Sequence, residues 1–196
     1  MVVQKLAPGL WRWTGLHPDW TPEQGGPEGW EQEVGCVYYE ASEAIVLVDP
    51  LAPPEDEERF WRALDRDVER AGKPVHVVVT VKWHTRSTDE IAKRYGAAVG
   101  GPLPKGIEGH HAVAFDETIL WIPEHGALVF GDVVLGAEDG GVRLCPESWL
   151  DGTREQLAGA LRPLLDLPVE RLLVSHGEPV LAGGRAALAQ ALSDER

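Results

Sequence analysis

The stretch HVVVTVKWHTRSTDEIAKRYGA, residues 76–97, changes character twice. It opens as a run of β-branched residues, passes through a short polar turn, and continues with apolar residues at helical spacing. His84 stands where the strand gives way to the turn. In layered α/β proteins the loops at the carboxyl ends of strands converge, so ligand-binding and metal-binding side chains collect there. Three further strand ends carry a residue of the same kind: Asp49 in IVLVDP, Asp132 in ALVFGDVVLG and His176 in RLLVSHGEP. Two imidazoles and one carboxylate suffice to hold a single metal ion with positions left open for water and substrate.

Around these ends the pattern predicts eight short strands: VVQKL, LWRWT, EVGCVYYE, AIVLVD, VHVVVTV, TILWIP, ALVFGD and RLLVS. Helical spacing is expected over 55–71, 87–95, 153–165 and 183–193, the third opening on Thr153 as N-cap with Glu155 close behind. The first four strands follow one another as hairpins do, whereas the middle of the chain alternates strand and helix. That order predicts an α/β fold of two sheets with helices packed outside. Residues 15–32, rich in Gly and Pro and holding Trp20 and Trp30, read as a surface loop over one end of the sheets.

A chain of 196 residues with 43% hydrophobic content can bury one core, and 1–196 is expected to be a single domain. The net charge of −14 repels phosphate backbones and anionic lipid, which argues against nucleic-acid and membrane partners and leaves a small molecule as the expected ligand. No apolar run approaches the roughly 20 residues that span a bilayer and the chain does not open on a secretory signal, so a cytoplasmic location is expected. Cys36 and Cys145 are too few for a disulfide framework. Nothing in the sequence fixes the oligomeric state.

Taken together, AIVLVDP, the strand-loop-helix around His84, PEHGALVFGDVVLG and LLVSHGEPV resemble, in order and flanking residues, the metallo-β-lactamase superfamily. The resemblance implies a four-layer αββα sandwich of two mixed sheets with outer helices. It also implies that the turn at 82–87 stands at the family's H-x-H-x-D-H motif. There Lys82 takes the place of the first His, His84 is the second, Arg86 takes the place of the Asp and Ser87 that of the third His. A further family histidine falls near 113, where the chain reads EGHHAVAFD; His110 and His111 are the nearest, with His111 the weaker metal candidate beside His84, Asp132 and His176.

The degenerate motif leaves two expectations open. One is a hydrolase-like protein with at most one weakly held Zn, Fe or Mn ion, acting on a small ester, thioester or lactam-type bond. Its catalytic set would be His84, Asp132, Lys82 and Arg86, the two cations polarising the substrate or holding its carboxylate. The other is a metal-free, non-catalytic member that binds a small ligand or has a structural role, with Lys82 and Arg86 replacing the metal charge beside Asp132, since an unpaired buried carboxylate is expensive. Trp83, with Trp20 and Trp30, is a candidate aromatic wall. Asp49 is expected to organise its loop by accepting backbone N–H bonds. A Ser87–His176–Asp132 triad is disfavoured because no G-x-S-x-G elbow is present.

Overall fold

A computed structural model describes residues 1–26 and 28–193, which form two compact units. The first comprises Met1–Thr21 and Gln32–Ile107, and the second the described residues within Pro22–Glu31 and Glu108–Arg196.

The first unit is built on a six-stranded mixed sheet. Its strands, in both chain and spatial order, are β1 (Val2–Ala7), β2 (Leu10–Leu16), β3 (Glu33–Glu40), β4 (Ile45–Val48), β5 (Val75–Val78) and β6 (Ala98–Val99). The first four pair antiparallel, as the hairpin-like sequence order predicts, and β4, β5 and β6 run parallel. Helices α1 (Glu57–Ala71) and α2 (Thr88–Tyr95) supply the parallel crossovers. In β4 all four residues, IVLV, are buried, as a strand covered on both faces requires. α1 buries Phe60 and Leu64, and Phe60 meets the Trp13 ring at 5.6 Å between centroids. The helix ends at Gly72, whose φ of 60° closes the last turn with an N–H bond to Val68 O. Arg94 on α2 forks onto Asp65 of α1 through bonds of 2.8 and 2.6 Å, and Tyr95 adds a third at 2.7 Å.

The second unit holds β7 (Glu108–Ala112), β8 (Glu117–Ile122), β9 (Ala127–Phe130) and β12 (Arg171–Val174) in a mixed sheet of spatial order β12-β9-β8-β7. A separate ribbon pairs β10 (Val134–Gly136) with β11 (Val142–Leu144). Two helices complete it, α3 (Arg154–Leu161) and α4 (Gly184–Ala191). Thr153 caps α3 as expected, but the reciprocal partner in the capping box is Gln156, one residue beyond Glu155. Only the residue three positions after the cap can return a side chain to the cap's own N–H.

All eight expected strands are present, and both sheets are mixed. Among the described residues four further strands occur, β6, β7, β10 and β11, none longer than five residues, too short for a clear period. Strand β7 contains His110 and His111, so these residues are not in a loop. They pair with Ile119 and Thr118 across a hairpin whose turn includes Asp116 at φ 55°, without the Gly or Asn that usually marks such a turn. Among the described residues no helix is long and apolar enough to cross a membrane.

Candidate metal centre

Parallel neighbours in a sheet end at the same level, and each unit uses one such pair to place its polar side chains. In the first unit Val48 of β4 is in register with Val78 of β5. Asp49 therefore follows immediately beside the loop that leaves β5, and its carboxylate gathers that loop. It accepts the Thr80 N–H at 2.8 Å, the Thr80 hydroxyl at 2.5 Å and Nδ1 of His84 at 2.9 Å. Asp49, Thr80 and His84 are all buried. The backbone of Asp49 has φ 47°, a left-handed conformation that Asp tolerates better than most residues. Because a carboxylate accepts, Nδ1 of the His84 ring carries a proton. A carboxylate fixing the tautomer of an imidazole in this way is the usual arrangement behind a metal-ligating histidine.

The other motif positions do different work. Arg86, at φ 37°, donates through Nη1 to Asp49 O at 2.8 Å and Gly35 O at 3.1 Å, lacing the ends of β3 and β4 to the loop. Its charge also opposes the burial that pushes the Cys36 thiol up. Ser87 accepts the Ala52 N–H through Oγ at 2.9 Å, which gives its buried hydroxyl a structural partner. Arg86 and Ser87 line a cavity of about 320 Å³ together with His17, Asp19, Glu57 and Glu90, a lining of both signs. Lys82 is exposed, with its ammonium 5.7 Å from the centroid of the Trp83 ring, and Trp83 is itself 49% exposed.

The second unit repeats the device. Phe130 of β9 is in register with Val174 of β12, so Asp132 and His176 each stand two residues past a paired position. His176 Nε2 lies 3.2 Å from Asp132 Oδ1, both residues being buried. Trp30 packs on the His176 ring edge-on, with centroids 5.4 Å apart and planes at 63°. The Trp30 segment is fastened by Trp149 Nε1 donating to Glu28 O at 2.8 Å and by Ser148 Oγ donating to the Glu28 carboxylate at 2.9 Å. His176 O accepts the Gly136 N–H at 2.9 Å. The backbones approach so closely there that a Cβ on Gly136 would lie 2.5 Å from Glu178 N, and one on Gly177, at φ 80°, would lie 2.9 Å from Gly136 Cα.

Sequence reasoning did not single out Glu117. This residue opens β8 and is completely buried, and its carboxylate accepts three consecutive backbone N–H groups: Gly131 at 2.8 Å, Asp132 at 2.7 Å and Val133 at 2.9 Å. Burial, with the Asp132 carboxylate nearby, pushes its pKa up to about 7, against the three N–H bonds that pull it down. The available signal was an acidic residue opening the otherwise apolar run ETILWI. Of the remaining candidates, His111 is half exposed on β7, 3.7 Å from the Asp116 carboxylate. The position near which the resemblance puts a further histidine holds Val113, which is 77% exposed.

No family model matches the sequence, and none of the curated proteins is significantly similar. Solved structures are. A metallo-β-lactamase from Erythrobacter litoralis, with β-mercaptoethanol in its active site, superposes with a TM-score of 0.63 at 18% identity, over 99% of this chain and 96% of that one. The chain has the metallo-β-lactamase fold. VMB-1 matches the same fold over 100% of this chain and 98% of its own, with a TM-score of 0.64 at 14% identity. A metallo-β-lactamase from Hirschia baltica aligns over 98% of this chain and 96% of its own, with a TM-score of 0.62 at 15% identity. The two mixed sheets expected from the sequence are present in this fold.

Proposed function

We propose that the chain is a hydrolase-like protein that holds a single divalent metal ion through Asp132 and His176 of the second unit, with His84, the histidine that remains in the motif, as the third candidate ligand. The observation that carries this reading is the buried Asp132–His176 pair, whose ligand-type atoms lie 3.2 Å apart. The hydrogen bond from His84 Nδ1 to Asp49 supports it, because a carboxylate behind an imidazole is the usual arrangement for a ligating histidine. The donor set, two imidazoles and a carboxylate, fits Zn, Fe or Mn. A second ion is not expected, because Lys82, Arg86 and Ser87 occupy three of the motif's ligand positions.

When bound, such an ion polarises a carbonyl and lowers the pKa of a coordinated water. The protein's own residues orient and enclose. Asp49 fixes the His84 tautomer, and Trp30 shields one edge of His176. Lys82, whose ammonium lies over the Trp83 ring, is the candidate for attracting a substrate carboxylate. The structural neighbours from Erythrobacter litoralis and Hirschia baltica are metallo-β-lactamases, so a small lactam, ester or thioester is the substrate class to test.

A second reading, a metal-free small-ligand binder, is supported by Lys82 and Arg86 standing in ligand positions.

Metal analysis of protein purified without added metal separates the two. Near-stoichiometric Zn, Fe or Mn that is lost in His84→Ala is expected for the first reading. Metal below a few per cent, unchanged on incubation with Zn(II), would overturn it.

A further inference from the structure

We propose that Glu117 is the positioning residue of this centre: its buried carboxylate holds the 131–133 turn that presents Asp132, and so sets how tightly the site takes a divalent cation. The second half of this proposal rests on the metal-centre reading, whereas the first half does not. The sheet register explains the placement. Leu120 pairs with Val129 and Ile122 with Ala127, so continuing the antiparallel register brings Glu117 opposite Asp132, where β9 has already ended. On its other side Glu117 pairs with Ala112 of β7. The residue is thus held by neighbouring backbone on one side while its side chain substitutes for the missing ladder bonds on the other.

Three successive N–H groups aimed at one anion form a backbone nest. A hydroxyl has two acceptor lone pairs, whereas a carboxylate has about four, and Glu117 uses both oxygens: Oε1 for Gly131, and Oε2 for Asp132 and Val133. The donors alone do not account for a charged residue here, since burying a carboxylate without a cation is costly and turns are commonly closed by neutral side chains. With Asp132 it makes two buried carboxylates in close company. A cation held at Asp132 would supply compensating positive charge to the pair. Glu117 then acts on the cation through the turn it braces and through its own field, without coordinating it.

The test uses Glu117→Gln, which keeps the size and one acceptor oxygen but presents an NH₂ to backbone donors. In metal-free protein, hydrogen exchange at the Gly131, Asp132 and Val133 amides is followed by ¹⁵N NMR, with the β4 and β5 amides as internal controls. Exchange faster by about tenfold at those three amides alone is expected for loss of a bracing hydrogen bond. The Zn(II) dissociation constant, read by competition with a chromophoric chelator, should weaken about 10- to 100-fold, the range found when a group supporting a ligand is removed. Unchanged exchange overturns the proposal, and so does altered exchange with Zn(II) affinity within about threefold of wild type, a purely structural role. If the wild-type chain takes up no Zn(II), the metal-centre reading falls and the exchange measurement alone decides the positioning role. Should Glu117→Gln not fold, Glu117→Asp, with the charge kept and the reach shortened, is read in the same two assays.

Discussion

Replacing Asp49 with Ala should damage the first unit more than any other single change among its polar residues. The substitution removes the acceptor for the Thr80 N–H at 2.8 Å, the Thr80 hydroxyl at 2.5 Å and His84 Nδ1 at 2.9 Å, all in a buried environment. A buried donor left unsatisfied costs about 1–3 kcal/mol. The three share one carboxylate, so their losses are not additive, and the loop can relax toward water. Ala at φ 47° adds about 1 kcal/mol of backbone strain that Asp largely avoids. The expected total is about 3–5 kcal/mol, or roughly 10 °C in Tm for a chain of this size. Asp49→Asn keeps the tolerance for that φ and one acceptor, and should lose about half as much. Urea unfolding in the presence of a chelator gives the energies, and ¹⁵N shifts of the His84 ring report the tautomer, which should change from Nδ1–H to a mixture. A loss below about 1 kcal/mol, or an unaltered His84 tautomer, refutes the assignment of Asp49 as the residue that holds this loop.

Other outcomes follow from single contacts. Gly136→Ala forces a Cβ to within 2.5 Å of Glu178 N, and should lower stability by about 2–3 kcal/mol in thermal unfolding while shifting the His176 ring resonances. Asp65→Asn breaks an exposed fork to Arg94 and should change the unfolding free energy by at most about 1 kcal/mol, less at high salt. Burial lowers the pKa of His76 below its ordinary value of 6.5, so folding favours the neutral ring. Its contribution is present above pH 6.5 and is lost as pH falls through the lowered value, and His76→Gln should flatten that part of the stability profile measured between neutral and acidic pH.

The legible part of the fold was the part written in apolar runs. β4 and β9, buried along their whole length, announce themselves, as do the amphipathic α1 and the capped α3. The hairpin of β7 did not, because EGHHA has no alternation and its turn is made by Asp116 and its neighbours, without Gly. Asp132, His176 and His84 could be singled out because each follows a recognisable strand, and within each unit a parallel register carries two such ends to one level. Glu117 was missed because its role depends on a register between two strands, and no local pattern encodes which backbone N–H groups lie across a sheet. The role of Asp49 was anticipated, although the N–H it takes comes from Thr80, 31 residues on, which only tertiary structure reveals.

Arg86 keeps the backbone at φ 37°, a shape that suits Asp and Asn far better than a long basic side chain. That shape has a practical meaning for redesign. Writing an acid into position 86 meets no backbone obstacle, and the obstacle is the loss of two lacing bonds, to Asp49 O and Gly35 O. A protein engineer changing this loop would therefore begin by giving the β3 and β4 carbonyls a new donor, and introduce the carboxylate afterwards.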